Sequence, residues 1–195
     1  MRLSCSGLNR QGVQKTDQRV RCSRIISNQP VVKGSDMKIT ILCVGKIKEK
    51  YYRDAVEEYV KRLSRYATVR IVEVADEKTP EEASARETQL ILGKEGERLL
   101  RAMPADAYVT AMAIKGKKYD SVSLSKHLSG LMGSGKSHLV FVIGGSLGLS
   151  DEVLGRAEEK ISFSDLTFPH QLMRVILLEQ IYRCFRIMKG EPYHK

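Results

Sequence analysis

The hydrophobic positions of this chain form short apolar runs that alternate with amphipathic stretches from residue 37 onward. Each run is bounded by Gly, Pro or charged residues, which is typical of buried strands. The sequence predicts strands at residues 37–44, 69–75, 108–114 and 138–143, with residues 161–168 as a loop or a short fifth strand.

Between these runs, apolar residues recur every three or four positions, which indicates amphipathic helices. The sequence predicts helices at residues 48–66, 80–103, 121–131, 151–160 and 170–188. Pro80 fits a first helical turn, Ser121 or Ser123 fits the third N-terminus, and Ser150 fits the fourth. Strands that alternate with helices predict an α/β fold, with a mostly parallel sheet and helices on both faces.

Ligands of parallel α/β sheets bind beyond the carboxyl ends of the strands. Residues 112–116, 144–150 and 161–168 follow predicted strands at that edge. The second segment, GGSLGLS, leaves a strand and enters a helix, so its small residues allow backbone amides to approach a ligand. It lacks the GxGxxG pattern of dinucleotide sites, and an ordinary tight turn is the alternative interpretation.

The third segment alternates hydroxyl and apolar side chains before a helix begins at His170. Such a segment could hydrogen-bond a heteroaromatic ring through its backbone. The alternative is a capping segment in which Ser164 or Thr167 satisfies local amides. For His170, a capping or core position is favoured over a catalytic one.

Residues 130–137 match the phosphate-loop pattern GxxxxGK[ST]. That loop requires a strand before it and a helix after it, so that helix N-terminal amides hold the phosphates. Here the predicted helix comes first and the strand follows. The match therefore indicates a basic turn and excludes an NTPase.

Composition indicates the kind of partner and argues against membrane-spanning, disulfide-rich and zinc-binding proteins. The 195 residues carry 33 Lys and Arg against 23 Asp and Glu, a net charge of +10, which favours a polyanionic partner such as nucleic acid. No stretch approaches the roughly 18 apolar residues of a membrane span. The four cysteines form no CxxC pair, so neither a disulfide framework nor a zinc site is expected.

Residues 1–36 differ from the rest, with seven basic and two acidic residues and no sustained apolar periodicity. An organellar transit peptide and a start assigned too far upstream, with Met37 as the true first residue, are both compatible with this composition. We expect a basic leader at residues 1–36, disordered or loosely attached, and one domain at residues 37–195.

The last predicted helix and the tail after it carry aromatic and basic groups. Arg183 lies four residues after Glu179, a spacing typical of a helical ion pair. The tail ends in Tyr193, His194 and Lys195, and such groups stack on RNA bases and contact phosphates. An ordinary terminal segment is the alternative.

The runs FVIGGSLGLSDEV, KISFSDLTFPHQLMRVILLEQIYRCFRI and GEPYHK resemble the RlmH family of small SPOUT-class methyltransferases. The opening MKITILCVGKIKEKYYRDAVEEYVKRL and residues 94–97 match as well, so the resemblance covers residues 37–195. It implies a C-terminal trefoil knot, S-adenosylmethionine as cofactor, and a cytoplasmic homodimer with composite active sites. The implied reaction methylates N3 of a pseudouridine in helix 69 of 23S rRNA on the assembled 70S ribosome, without metal or membrane.

The resemblance also implies roles for particular residues. The implied methyl-donor pocket consists of Met112, Gly144, Phe163, Ser164, Asp165, Leu166, Thr167 and Phe168. Many family members carry Leu at the position of Met112, and both side chains are apolar.

On the RNA side, the resemblance implies that Tyr193, His194 and Lys195 serve the substrate, with Tyr193 and His194 near the target base. Lys195 and Arg183 are the candidates for RNA phosphate contacts. His194 is the candidate base, because an imidazole is largely neutral at pH 7. Arg174 or Arg183 could instead stabilise the negative charge of the deprotonated nucleobase.

Two alternatives to this function stay open. One is a non-catalytic protein that binds RNA or ribosomes. The other is a SPOUT methyltransferase with a different RNA target, such as tRNA.

Overall fold

Five strands alternate with five helices in the computed structural model, which describes residues 37–194. The expectations for residues 1–36 and for Lys195 lie outside the described residues. The strands are β1 (Lys38–Val44), β2 (Thr68–Val74), β3 (Tyr108–Lys118), β4 (His138–Ile143) and β5 (Glu159–Ser162). The helices are α1 (Lys50–Leu63), α2 (Ala85–Ala102), α3 (Ser121–Gly133), α4 (Asp151–Arg156) and α5 (His170–Met188).

The five strands form one wholly parallel sheet in the order β2-β1-β4-β3-β5. The side chains of β1 alternate between two hydrophobic clusters, with Ile39 and Ile41 in one and Leu42 and Val44 in the other. This alternation follows from the two-residue period of a strand, so each face of the sheet has its own core. The predicted α/β class with a parallel sheet is confirmed.

Helices cover both faces, as the sequence predicts. Val56 of α1, Leu128 of α3 and Leu178 of α5 lie in the first cluster. Leu99 of α2 and Val153 of α4 lie in the second. Because all the strands run in one direction, their carboxyl ends meet at one edge, and the connections there form the candidate site.

Several helix bounds and caps differ from the prediction. The second helix begins at Ala85 and not near Pro80, because Ser84 and Glu87 form a capping box. Asp120 caps α3, in place of the expected Ser121 or Ser123, by accepting from the amide of Ser123. The predicted cap of α4 is confirmed, since the Ser150 hydroxyl accepts from the amide of Val153, but this helix already ends at Arg156.

The third strand continues past its predicted end through a bulge. Met112 and Lys117 both pair with Ile161 of β5, so residues 113–116 are extra residues on the β3 side. Gly116 is required in this bulge, because a Cβ there would lie 2.5 Å from the carbonyl carbon of Ile161. The bulge turns residues 113 and 114 toward the carboxyl edge of the sheet.

The segment with the phosphate-loop pattern has the order that the sequence predicts. Gly133 ends α3, a turn follows, and His138 begins β4. This turn lies before a strand and therefore at the amino edge of the sheet, opposite the edge where ligands of such folds bind.

Candidate active site

A cavity of about 290 Å³ opens at the carboxyl edge of the sheet. Residues 112–114, 143–148, 161–164 and 166–168 line it, together with His170 and Met173 of α5. The three segments are those that the sequence places at this edge. The volume lies near the lower end of the range for small-molecule sites, roughly 300–1,000 Å³.

The loop after β4 is folded tightly against itself. A Cβ on Gly144 would lie 2.1 Å from the carbonyl oxygen of Gly148, so this position accepts only glycine without rearrangement. The amide of Gly148 donates to the carbonyl of Gly145 at 3.2 Å, and Gly148 has a φ of 91°. The absence of side chains brings the backbone of this loop to the cavity surface.

Glu95 of α2 lies beneath the glycine loop and is 4% exposed. A Cβ on Gly145 would lie 2.9 Å from its carboxylate, so the two groups are in close packing. Glu95 accepts from the amide of Glu77 at 2.9 Å. Burial raises the pKa of Glu95, and the nearby negative charge of Asp76 acts in the same direction.

The segment after β5 is held by short-range hydrogen bonds. The Ser162 hydroxyl donates to the carbonyl of Ser164 at 2.9 Å, and the Ser164 hydroxyl accepts from the amide of Leu166 at 2.9 Å. The Ser164 hydroxyl therefore satisfies a local amide, as in the alternative interpretation of this segment as a capping segment. Because it satisfies an amide within the turn, the segment offers mainly apolar side chains and backbone groups to the cavity.

Seven of the eight residues expected in the donor pocket lie in the cavity wall: Met112, Gly144, Phe163, Ser164, Leu166, Thr167 and Phe168. Asp165 does not line it, and its side chain, 78% exposed, forms an ion pair with Lys118. Two further lining residues are absent from the expected pocket: Ile114, although segment 112–116 is predicted at this edge, and Met173. Met173 lies three residues after His170, on the same face of α5.

His170 begins α5 and lines the cavity, although a capping or core position was favoured from the sequence. Its ring is close to the β1–α1 connection, since a Cβ on Gly45 would lie 3.5 Å from Nε2. Burial lowers the pKa of His170 below its ordinary value, and the positive charge of Arg174 lowers it further. The imidazole is therefore neutral at pH 7.

Arg174 is fully buried one helical turn further along α5. Its guanidinium forms an ion pair with Glu73 of β2 at 2.7 Å and donates to the carbonyls of Val44 and Gly45 at 2.9 Å. The Glu73 carboxylate also accepts from the amide of Ile47 at 3.1 Å. Arg174 thus fastens α5 to the ends of β1 and β2, and it does not line the cavity.

The C-terminal tail folds back onto α5. The Tyr193 hydroxyl donates to Glu179 at 3.1 Å, and its ring packs edge-on against Tyr182 at 5.0 Å. The Arg183 guanidinium lies 4.8 Å from the Tyr193 ring and 3.5 Å from Nδ1 of His194. The predicted helical ion pair between Glu179 and Arg183 is present at 2.6 Å.

A second cluster of polar contacts holds the start of the tail. The carboxylate of Glu191 accepts from the Tyr66 hydroxyl, from Arg186 at 2.5 Å and from Arg65 at 3.3 Å. Arg186 also donates to the carbonyl of Pro192 at 2.8 Å. The hydrogen bond from Tyr66, with the positive charges of Arg186 and Arg65, holds the pKa of Glu191 below its usual value.

The cavity and the tail lie at different points along the same helix. His170 lines the cavity, whereas the tail residue His194 lies beside Arg183, thirteen residues further along α5. At a rise of 1.5 Å per residue, these two points are roughly 20 Å apart. Within one chain, the structure therefore does not bring His194 and Tyr193 to the cavity.

Residues 37–194 contain neither a metal-binding cluster nor a membrane-spanning helix. No group of three or more His, Cys, Asp or Glu side chains there could hold a metal ion. None of the helices in this range is both long and apolar enough to cross a membrane.

Comparison with known proteins identifies close relatives. A family model described as "Predicted SPOUT methyltransferase" matches residues 37–194. Over 159 residues, 82% of this chain and 100% of the relative, the chain is 58% identical to ribosomal RNA large subunit methyltransferase H of Clostridium kluyveri. The relative of the same name in Shouchella clausii is 56% identical over the same length.

Among solved structures, the chain is similar to a putative methyltransferase from Legionella pneumophila in complex with the bound cofactor SAM. The two chains share 12% sequence identity and a TM-score of 0.45, over 78% of this chain and 68% of the other.

Proposed function

The chain belongs to the SPOUT methyltransferase family, and we propose that it transfers the methyl group of S-adenosylmethionine to large-subunit ribosomal RNA. In its finer form, the proposal names N3 of a pseudouridine in helix 69 of 23S rRNA, on the assembled 70S ribosome in the cytoplasm. Relatives named ribosomal RNA large subunit methyltransferase H, 56–58% identical to this chain, support the substrate class.

The observation that carries the proposal is the cavity at the carboxyl edge, walled by glycine-loop backbone and apolar side chains. Backbone amides and carbonyls suit the hydrogen-bonding edge of an adenine, and apolar side chains such as Phe163 and Ile114 suit its ring faces. Among the residues that the structure describes, no Lys or Arg lines the cavity, and burial favours the neutral form of His170. A cationic donor therefore meets no like charge on the wall.

When bound, S-adenosylmethionine supplies a methyl group activated by its positively charged sulfur. The residues of this chain contribute mainly by holding the donor and the acceptor nitrogen in line, which accounts for much of the rate in such reactions. Met112, Gly144 and residues 163–168 would hold the donor. Asp165, whose carboxylate is turned to Lys118, would contribute through its backbone.

The acceptor N3 carries a proton that must leave for the nitrogen to become a nucleophile. We assign the base to the exposed imidazole of His194 and the stacking surface to Tyr193. Arg183 lies beside His194, so we assign it the stabilisation of negative charge on the deprotonated nucleobase. Arg183 and Lys195 would also contact RNA phosphates. Arg174 is fully buried among protein partners, so we assign it a positioning role.

The separation of roughly 20 Å between cavity and tail supports a homodimer with composite sites. In this arrangement, the donor cavity of one protomer faces the tail of its partner. We also propose that the C-terminal part forms a trefoil knot, as family membership implies. The position of β5 beyond β3, although β5 follows β4 in sequence, supports such a crossing.

The experiment that tests the function is a radiolabelled methyl-transfer assay on 70S ribosomes, free 50S subunits and tRNA in parallel, with mass-spectrometric mapping of the product. We expect label on 70S ribosomes at one pseudouridine of helix 69. Label on tRNA alone would support a SPOUT enzyme with another target. Tight ribosome binding without any label or S-adenosylmethionine uptake would support the non-catalytic alternative.

The composite site predicts that two defective variants complement each other. His194→Ala should lower methyl transfer by about 10²–10⁴-fold and leave donor binding unchanged, because only the base is lost. Gly144→Ala should block the donor cavity. Co-expression of the two variants should restore activity in the mixed dimers, which hold one intact site. No recovery in isolated mixed dimers would contradict a site built from two chains.

A further inference from the structure

Two exposed lysines lie on the connection between β1 and α1, at the carboxyl edge of the sheet. Lys46 and Lys48 form no side-chain ion pair with any residue in the range 37–194. The neighbouring Lys50, by contrast, pairs with Asp54 at 2.6 Å. These two lysines therefore present ammonium groups that form no ion pair within the described range, at the edge that also holds the cavity.

The backbone beneath these two lysines is held by buried groups. The Gly45 carbonyl accepts from Arg174 at 2.9 Å, and the amide of Ile47 donates to Glu73 at 3.1 Å. The amide of Lys48 donates to the side-chain oxygen of Gln171 on α5 at 2.8 Å. Because the connection is held at Gly45, Ile47 and Lys48, the backbone that carries the two lysines is already ordered before a ligand binds, which lowers the entropic cost of binding.

A third exposed lysine lies on the other side of the cavity. Lys115 follows Ile114, which lines the cavity, and lies in the bulge opposite Ile161. Close packing of Gly116 on the Ile161 backbone fixes this bulge. The side chain of Lys115 forms no ion pair within the described range, whereas Lys118 pairs with Asp165.

The sheet order places these lysines on opposite sides of the glycine loop. Strand β4, which leads into that loop, lies between β1 and β3. Two strand spacings of about 4.8 Å separate β1 from β3, so the connection with Lys46 and Lys48 and the bulge with Lys115 belong to strands on the order of 10 Å apart, with the glycine loop between them. The acidic side chains nearest to the first connection are Glu49, within it, and Asp76, whose Cγ would lie 3.6 Å from a Cβ on Gly45. Within the described range, neither carboxylate forms an ion pair with Lys46 or Lys48.

We infer that Lys46, Lys48 and Lys115 form a phosphate-binding rim that holds the RNA backbone on both sides of the nucleotide presented to the cavity. This lysine rim rests on the proposed function, because it assumes an RNA substrate at this edge. Lysines bind phosphate as point charges and release condensed counterions, so they supply affinity that is independent of base sequence. Cations on both sides of the mouth favour a strand that crosses it.

The lysine rim is tested with K46A/K48A, K115A and the triple variant of the full chain. Binding to a fluorescein-labelled RNA stem-loop is followed by anisotropy over a potassium chloride series from about 50 to about 200 mM. We expect the triple variant to bind at least about tenfold more weakly at low salt. A plot of the logarithm of the association constant against the logarithm of the salt concentration has a negative slope, and the magnitude of this slope should decrease by about one for each lysine removed.

Matched variants separate the position of a charge from its number. K61A/K136A removes two exposed lysines at the end of α1 and in the turn before β4, and should bind nearly as the wild type does. K46R/K48R keeps both charges and should retain affinity. Wild-type affinity and an unchanged salt slope in the triple variant would overturn the lysine rim.

Calorimetry with S-adenosylmethionine and methyl transfer by the wild type distinguish this result from failure of the proposed function. If the triple variant binds RNA more weakly than the wild type but the wild type transfers no methyl group, the lysine rim is supported and the proposed reaction is contradicted. Methyl transfer that is unaffected in the triple variant, with unchanged affinity, would contradict the rim and leave the reaction standing.

Discussion

At the scale of single residues, the cavity depends on positions where a side chain would not fit. Gly144 faces the carbonyl oxygen of Gly148, and Gly116 faces the backbone of Ile161. Neither contact leaves room for a Cβ, because real Cβ atoms do not approach other heavy atoms so closely. The shape of the cavity is therefore set by backbone packing in the loop after β4 and in the bulge of β3.

Gly144→Ala is expected to abolish donor binding, because the added methyl group would force the glycine loop out of its fold. The measurement is the rise in Tm with saturating S-adenosylmethionine, which reports binding to the folded state. The wild type should show a rise and the variant none. Gly93→Ala, in α2 with nothing within 4 Å of the new Cβ, is the control and should show the wild-type rise.

Arg174→Met is expected to lower the free energy of unfolding by about 3–5 kcal/mol, because it removes the cation that offsets the buried charge of Glu73. Urea denaturation measures this change as a shift in midpoint. Arg101→Ala, which breaks an exposed helical pair with Glu97, is the control and should change stability by less than about 1 kcal/mol. A similar effect of both substitutions would contradict the structural importance of the buried pair.

The sequence identifies the cavity residues better than it identifies Arg174. Gly144 and residues 163–168 stand in runs whose small and apolar residues follow strand ends, so their place at the carboxyl edge is predictable. Arg174 pairs with Glu73, a residue 101 positions earlier in the chain. No local pattern reports a contact at that separation, which is why Arg174 was regarded as a candidate for catalysis.

At the scale of elements, the bounds of strands and helices are predictable from the sequence where the spacing of hydrophobic residues alone determines them. The predicted bounds of α5 agree with the structure, because apolar residues recur along its whole length. The start of α2 was predicted too early, since Pro80 is compatible with a first turn but Ser84 and Glu87 supply a complete capping box. The extension of β3 was missed because a bulge breaks the period at residues 113–116.

The pairing of β1 with β4 predicts a pH dependence of stability. His138 lies across from the start of β1, and its ring contacts the Thr40 hydroxyl at 3.0 Å. Burial lowers the pKa of His138 below its ordinary value and outweighs the nearby negative charge of Asp106, which raises it; the positive charges of Lys38 and Arg70 lower it further. The unfolded state therefore binds more protons than the folded state. The contribution of neutral His138 to the free energy of unfolding is complete above the unfolded pKa of about 6.5 and is lost as the pH falls below that value.

The free energy of unfolding from urea denaturation at about pH 7.5 and about pH 5.5 should fall more for the wild type than for His138→Gln. Comparison with the variant isolates His138, because Glu95, whose pKa is raised, titrates in the opposite direction. An equal or smaller fall in the wild type would contradict a lowered pKa of His138.

At the scale of the whole molecule, α5 connects three parts of the proposed function. Its first turn lines the donor cavity, Arg174 fastens it to the sheet, and its last turns hold the tail. The moderate excess of positive charge matches an RNA partner. The order of the strands, which brings β5 next to β3, was beyond the reach of sequence patterns, because parallel pairing between distant segments leaves no local signal.

The central claim is that the cavity at the carboxyl edge binds S-adenosylmethionine. Isothermal titration of the full chain with S-adenosylmethionine and with its demethylated product tests this claim most directly. We expect saturable binding of one donor molecule per chain, and loss of that binding in Gly144→Ala. Absence of saturable heat with both compounds, on folded wild-type protein, would contradict the claim.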